Sequence, residues 1–354
     1  MIGPSPYVLI NMGARYVPCM RKPSKDFDGI WPCPNTTSNP LKPDNQCKLN
    51  DLCGFGDKSY TDTDRPNQWY RFIIPIFLHA GFIHNTFNML LQLLLGRDME
   101  KQIGSSRFFL VYLSSGIFGF ILGGNLAPEG IASTGASGSL FGIIALNLLD
   151  LLYHWGEVRS PWADLAWLLF DIIISFALGL LPGLDNFSHI GGFLMGLALG
   201  VCLLHSPDVL RRRVGADLPP YASVKRSRNR DEDGGIKGFV REPVAFFKGR
   251  KPLWWAWWLV RAAALIAALV CFIVFLKNFY KKNPTTCQWC QYLSCIVSLL
   301  DPQRFKFYID SKTQKYKDWC DIGQLTTTNA SRGTSQNRRS LLAGPFPISL
   351  EALL

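Results

Sequence analysis

Residues 134–153 read TGASGSLFGIIALNLLDLLY, a stretch with a single charged side chain. A helix needs about 20 mostly apolar residues to cross a bilayer, so this stretch predicts a membrane-spanning helix. Gly135, Gly138 and Gly142 surround Ser137 near its start. Because glycines allow another backbone or a ligand to come close, the serine is predicted to lie where two segments meet.

Five further segments share this character, and the six together predict an all-α, polytopic membrane protein. They are roughly 83–96, which the apolar run Phe72–Phe82 extends upstream, 106–126, 162–182, 187–205 and 253–277. The chain of 354 residues is 48% hydrophobic and has a net charge of +11. That basic excess avoids the apolar centre, which argues against a nucleic-acid-binding domain. The 13% aromatic content and the long apolar runs argue against a disordered protein.

Basic residues in the links between spans predict the orientation, because such residues are enriched in cytosolic loops. Lys and Arg occur in the links 97–107, 154–161 and 206–252, whereas the links 127–133 and 183–186 have neither. The first three links are therefore predicted to be cytosolic and the other two luminal. By alternation, both ends of the chain are also predicted to be luminal.

The cysteines support this orientation. Eight of the ten lie in the two predicted luminal ends, and none lies in a predicted cytosolic link. They are Cys19, Cys33, Cys47, Cys53, Cys287, Cys290, Cys295 and Cys320. We expect disulfides formed in an oxidising compartment. A zinc site at Cys287-Gln-Trp-Cys290 is the alternative, although no second Cys or His pair completes it.

Two polar clusters lie inside predicted spans. His84 and Asn88 are four residues apart, so they share one face of a helix. On that face they could stabilise a developing negative charge, or they could pair with another helix as polar contacts. Ser137 with its flanking glycines fits an ordinary helix-packing motif as well as a reactive site.

His189 opens the fifth span and favours the reactive interpretation. Gly192 and Gly196 form a GxxxG surface after it, and such a surface fits against the small residues that follow Ser137. That contact would bring His189 next to Ser137. A serine becomes a nucleophile when an adjacent base takes its proton, and histidine suits that role near neutral pH.

Three motifs, in order and spacing, resemble the signature of rhomboid intramembrane serine proteases. They are His79-x4-His84-x3-Asn88, Gly135-x-Ser137-Gly138-x3-Gly142 and Ser188-His189-x2-Gly192-x3-Gly196. The resemblance covers roughly residues 1–205. The cysteine-bearing luminal region and the span after the histidine-bearing helix are similar to the eukaryotic secretory-pathway branch, which has six spans plus one.

The resemblance implies a catalytic dyad, with Ser137 as the nucleophile and His189 as the general base and acid. It implies an oxyanion site made by the Ser137 backbone N–H, His84 and Asn88. The other residues that it singles out would be structural supports: Arg71, His79, Glu100, Gly135, Gly138, Gly142, Gly192 and Gly196. No metal or organic cofactor is implied. One departure is Tyr70, which stands where the family often has Trp before the arginine.

The resemblance also predicts a further span ahead of Met1, because the first five residues are similar to the middle of a family segment. The chain itself divides into five predicted regions. These are a luminal cysteine-bearing loop region (1–68), the catalytic membrane core (69–205), a basic cytosolic linker (206–252), an extra C-terminal transmembrane helix (253–277), and a luminal cysteine-bearing tail with a disordered end (278–354).

The implied function is cleavage of transmembrane proteins near the luminal ends of their spans by a serine endopeptidase. The expected partners are transmembrane substrate proteins and the lipid bilayer, not nucleic acid. The expected location is a membrane of the secretory pathway. The alternative is a rhomboid-like pseudoprotease that binds client spans for trafficking or quality control. A transporter is disfavoured because the sequence has no internal repeat and no mid-span charge pair.

Overall fold

The computed structural model describes residues 3–21, 31–34, 46–55, 67–179, 185–207, 210, 252–281, 287, 290, 307–308 and 316–317. These residues are mostly helical, which confirms the predicted all-α class. Two-residue strands pair antiparallel in two places. They are β1 (Trp31–Pro32) with β2 (Gln46–Cys47), and β3 (Phe307–Tyr308) with β4 (Tyr316–Lys317).

Three short helices precede the membrane bundle: α1 (Pro6–Met12), α2 (Val17–Met20) and α3 (Leu49–Cys53). We call residues 3–21 and 46–55 the N-terminal lobe. Its small core contains Ile10, Tyr16 and Leu52, all fully buried, and α1 packs against α3. The lobe is therefore a folded unit and not an open loop.

Disulfides join Cys19 to Cys53, Cys33 to Cys47, and Cys287 to Cys290. At Cys287 and Cys290 the structure thus has a disulfide, as the sequence analysis expected, and not a zinc site. Cys295 and Cys320 lie outside the described residues, so their pairing stays a prediction.

Two 3-10 helices, Trp69–Phe72 and Ile74–Phe77, lead to seven further α-helices in the described part of the chain. They are α4 (Phe82–Leu91), α5 (Arg97–Ile103), α6 (Ser105–Leu126), α7 (Ser137–Tyr153), α8 (Pro161–Gly179), α9 (Asn186–Leu203) and α10 (Pro252–Phe279). Among the described residues, α6, α9 and α10 are long and apolar enough to cross a membrane, and α7 is a shorter apolar helix. The bundle matches the predicted polytopic membrane fold.

The helix that begins with α4 continues further than the sequence analysis expected. A π-helical segment, Gln92–Gly96, joins α4 to α5 without a break in helical conformation. Residues 97–103 of the predicted link 97–107 are therefore helical, and the cytosolic placement of this link stays a prediction. The physical reason is that Arg, Met, Glu, Lys and Gln have high helix propensity, and Met99 and Ile103 bury one face of this segment.

The centre of the bundle is formed by α6, α7 and α9, which pack most extensively on each other. Val111, Ile143, Leu146 and Met195 from these helices are buried together. We call the end of the bundle where α7 and α9 begin the Ser137 end. Its assignment to the luminal side stays a prediction.

The last helix, α10, packs on α6 and α9 and is fixed at the Ser137 end. Phe279 is fully buried, with its ring centroid 5.1 Å from that of Phe72. Asn278 Nδ2 donates to Asn125 Oδ1 on α6 at 2.8 Å. At the opposite end, Arg261 donates to a backbone carbonyl just after α9. The additional helix is thus part of the bundle.

Most of the predicted cytosolic linker, 206–252, and most of the predicted tail, 278–354, lie outside the described residues. The division of the chain into five regions therefore stays a prediction.

Candidate active site

Ser137 and His189 are in direct contact at the Ser137 end of the bundle. Ser137 is the first residue of α7, and His189 lies in the first turn of α9. His189 Nε2 is 2.8 Å from Ser137 Oγ, which is a hydrogen-bonding distance. The two side chains that the sequence analysis expected to meet are therefore brought together.

Glycines allow α7 and α9 to approach this closely. A Cβ atom built on Gly192 would lie 2.7 Å from the carbonyl carbon of Gly138, and one on Gly196 would lie 2.5 Å from the Cα of Gly142. Both distances are too short for any side chain. Backbone therefore meets backbone along this contact, and the contact sets the depth of His189 relative to Ser137.

His84 lies beside Ser137 with a defined tautomer. Its Nδ1 accepts the backbone N–H of Ala80 at 3.2 Å, so in the neutral ring Nε2 carries the proton. The ring packs on Gly135, where an added Cβ would be 3.0 Å from His84 Nε2 and 3.8 Å from Ser137 Oγ. The His84 Nε2–H group is therefore a donor close to the serine hydroxyl.

Asn88 is buried one turn further along α4, with 2% of its surface exposed. Its Nδ2 donates to the backbone carbonyl of His84 at 2.8 Å. One amide hydrogen is thus used within the helix, and the second is left for another acceptor. This bond within the helix was not predicted from the sequence.

Arg71 ties the N-terminal lobe to the bundle. Nη1 donates to the carbonyls of Ile10 and Ala14 at 2.6 and 2.8 Å, and Nη2 donates to that of Cys53 at 3.1 Å. Nε donates to Gln68 Oε1 at 2.5 Å. Burial lowers the pKa of Arg71 to about 10, so the guanidinium stays charged at neutral pH. These contacts fit a structural role.

The other two predicted supports differ in their distance from the serine. The His79 ring lies edge-on to His84 with centroids 5.4 Å apart, and it lines a cavity of about 390 Å³ between α4 and α6. Glu100 is on α5, at the other end of the continuous helix that carries His84. Sixteen residues of helix separate the two, or roughly 24 Å. Glu100 is not brought to the site.

An aromatic stack fixes the other side of His189. The ring of Phe141 on α7 lies 4.6 Å from the His189 ring at an angle of 17°, and Phe176 on α8 packs behind Phe141 at 4.9 Å. His189 Nδ1 is buried without a hydrogen-bond partner among the described residues. No carboxylate among the described residues is hydrogen-bonded to this nitrogen to complete a triad.

Three residues around the site were not predicted from the sequence: Phe141, Asp185 and Arg15. Phe141 is four residues after Ser137, so helical spacing places it on the serine's face. Asp185 precedes the apolar run of α9, which is a typical N-cap signal. No sequence signal marks Arg15, because its partner Asp185 is 170 residues away.

Within the part of the chain that the structure describes, no three His, Cys, Asp or Glu side chains converge in a group that could hold a metal ion.

Residues 66–206 match the rhomboid domain. The match covers α4 to α9, including both residues of the Ser137–His189 contact.

Curated relatives extend the likeness beyond this domain. Rhomboid-type serine protease 2 of Emericella nidulans is 48% identical over 92% of the chain, and the chain spans 65% of that protein, just under two thirds. RHOMBOID-like protein 6, mitochondrial, of Arabidopsis thaliana is 34% identical over 65% of the chain and 67% of its own length. Inactive rhomboid protein 1 of Rattus norvegicus is 31% identical over 70% of the chain and 24% of its own length. The chain belongs to the rhomboid family.

Proposed function

We propose that the protein is an intramembrane serine endopeptidase that cleaves transmembrane proteins near the luminal ends of their spans. The single observation that carries this proposal is the 2.8 Å contact between Ser137 Oγ and His189 Nε2 inside an apolar bundle. A serine and a histidine at this distance have the geometry of a nucleophile and its base.

The reaction begins when His189 Nε2 takes the Ser137 proton and Oγ attacks a substrate carbonyl carbon. The tetrahedral intermediate collapses, the peptide C–N bond breaks, and His189 gives the proton to the leaving amine. A water molecule then adds to the acyl-enzyme with His189 again as base, which releases the new carboxyl end and restores Ser137. Proton transfer by a positioned side chain typically contributes about 10²–10⁴-fold to the rate.

The oxyanion would be stabilised by three proposed donors. The His84 Nε2–H group and the backbone N–H of Ser137 are two of them, and the second amide hydrogen of Asn88 is the third. Preorganised donors of this kind act strongly where water is excluded. The Phe141 stack and the Gly192 contact support the proposal because they hold His189 in one orientation.

The substrate would reach the serine between α4 and α8. His84 on α4 and Phe176 on α8 lie on two sides of the dyad, and both helices carry exposed apolar side chains such as Phe82 and Trp167. A helical carbonyl is already hydrogen-bonded, so the substrate must unwind locally before Ser137 can attack. We therefore expect a preference for small or helix-breaking residues near the cleaved bond.

A membrane of the secretory pathway is the proposed location. Disulfides such as Cys19–Cys53 form in oxidising compartments, which supports this assignment for the N-terminal lobe. The proposed partners are transmembrane substrate proteins within the bilayer.

The rival is a pseudoprotease that binds client spans without cleaving them. The observation that favours this alternative is the similarity to a protein named inactive rhomboid protein 1. The presence of both Ser137 and His189, in hydrogen-bonding contact, supports the enzyme over the binder. A pure binder needs neither group.

The test is cleavage of a single-span reporter in membranes that contain the full chain. Ser137→Ala is expected to abolish cleavage at unchanged expression. Ser139→Ala is the matched control, because Ser139 is a buried serine two residues later on the same helix and is expected to leave cleavage intact. Undiminished cleavage by Ser137→Ala would contradict the nucleophile assignment.

A further inference from the structure

The first turn of α9, which carries His189, is capped by Asp185. The Asp185 carboxylate accepts the Ser188 N–H at 3.3 Å through Oδ1 and the Ser188 hydroxyl at 2.5 Å through Oδ2. An acidic N-cap satisfies free N–H groups and interacts favourably with the helix dipole. Because Ser188 directly precedes His189, the cap acts on the backbone that orients the proposed base.

The same carboxylate is paired with Arg15 of the N-terminal lobe. Arg15 Nη2 lies 2.7 Å from Asp185 Oδ2, and the two side chains are 0% and 1% exposed. Asp185 is the one carboxylate that Arg15 contacts among the described residues. A buried charge without a partner is costly, so each residue holds the other in place.

The backbone of Arg15 reaches the other half of the site. Its N–H donates to the Ser133 carbonyl at 3.0 Å, and its carbonyl accepts the Ser133 N–H at 2.9 Å. Ser133 lies four residues before Ser137. Arg15 therefore contacts the segment leading to Ser137 through its backbone and the segment leading to His189 through its side chain.

Helix α6 leaves room for this arrangement. A Cβ built on Gly123 would lie 2.8 Å from the carboxyl carbon of Asp185. The ion pair thus sits in a fitted space between the lobe and the bundle, where neither side chain can move freely.

We propose that Arg15 and Asp185 are a positioning pair for the Ser137–His189 contact. The pair fixes the segment before α7 to the first turn of α9, so that the serine hydroxyl stays within reach of the imidazole. This inference rests on the proposed function. The N-terminal lobe would thus align the site through Arg15, without direct contact with the reacting atoms.

The experiment uses the full chain in proteoliposomes with a single-span reporter. Active sites are titrated with a fluorophosphonate, and kcat is expressed per titrated site. Arg15→Met and Asp185→Asn are compared with the double variant and with Glu129→Gln, which breaks the separate ion pair of Arg21 and Glu129. Asn still caps a helix well, so Asp185→Asn removes mainly the charge.

Each single variant is expected to lower kcat per active site about tenfold or more, since small misplacements of reacting groups are costly. KM should stay within about twofold of the wild-type value, because the variants change the alignment of the reacting groups and not the binding of the substrate. In the double variant the Tm should recover, because no lone charge is buried, while kcat per active site should stay low. Glu129→Gln should have the wild-type kcat.

The double variant keeps the proposal testable if a single variant fails to fold. Wild-type kcat per active site in the double variant would overturn the positioning role and leave the proposed function intact. A wild-type protein that neither cleaves nor reacts with the fluorophosphonate would overturn the proposed function, and the positioning role with it.

Discussion

Gly135 stands where the backbone before Ser137 touches His84. Its φ is 122°, a conformation that side-chain-bearing residues rarely adopt. An added Cβ would also lie 2.8 Å from the His84 ring. The glycine therefore serves two requirements at once, the turn into α7 and the approach of the proposed oxyanion donor.

Gly135→Ala is expected to lower reporter cleavage about tenfold or more, because the His84 ring must move away from Ser137. Gly104→Ala is the matched control. Gly104 also has a positive φ, 86°, but an added Cβ there meets no atom within 4 Å. The control should lose about 1–3 kcal/mol of stability through backbone strain, because its ψ of 149° with a positive φ is a conformation almost restricted to glycine, and it should keep its cleavage per folded molecule. Equal cleavage by both variants would contradict the account of Gly135.

The spacing of the motifs was sufficient to predict that Ser137 and His189 would meet, because glycine surfaces on two helices can pack in few ways. It was not sufficient for the hydrogen bond of Asn88 within its own helix, since an amide can donate in several directions. Arg15 could not be found either, because a pairing across 170 residues leaves no local pattern.

At the scale of helices, the contact between α7 and α9 determines whether the dyad forms. Gly192→Ala should separate the two helices, since its Cβ would overlap the Gly138 carbonyl. We expect a loss of cleavage of about a hundredfold, as misplacement by about 1 Å can cause. Gly200→Ala on the same helix is the control, because its Cβ would meet only the flexible ends of Leu146 and Leu149. Comparable losses in the two variants would contradict the account.

Helix α10 is expected to contribute to the stability of the whole bundle. Phe279→Ala empties a fully buried position next to Phe72 and should cost about 3 kcal/mol, measured as a lower Tm in detergent. Val274→Ala, on the same helix and 54% exposed, should change stability by no more than about 0.5 kcal/mol. An unchanged Tm in Phe279→Ala would show that α10 is only loosely attached.

The membrane-crossing helices α6, α9 and α10 were predictable because their length and apolar composition match the thickness of the bilayer. The continuation of α4 into α5 was not, because charged residues beyond a span are compatible with either a loop or a helix. The helical conformation is favoured here because Met99 and Ile103 are buried against the rest of the bundle.

At the scale of the molecule, the N-terminal lobe is held by a disulfide, by Arg71 and by Arg15. Replacing both Cys19 and Cys53 with serine opens a loop closed over 34 residues and should cost about 3–4 kcal/mol. Thermal unfolding measures this loss, with Cys202→Ser as the control. Cys202 is a free thiol that donates to a backbone carbonyl, and a serine hydroxyl can donate to the same carbonyl. An unchanged Tm in the variant that lacks both Cys19 and Cys53 would mean that the disulfide does not stabilise the lobe.

The most direct test of the central claim is the site of fluorophosphonate attachment in the full chain, mapped by mass spectrometry. A serine reacts with such a reagent when a neighbouring base activates it. We expect one adduct, on the peptide that contains Ser137, and its loss in His189→Ala. An adduct elsewhere, or equal labelling of Ser137 without His189, would contradict the dyad.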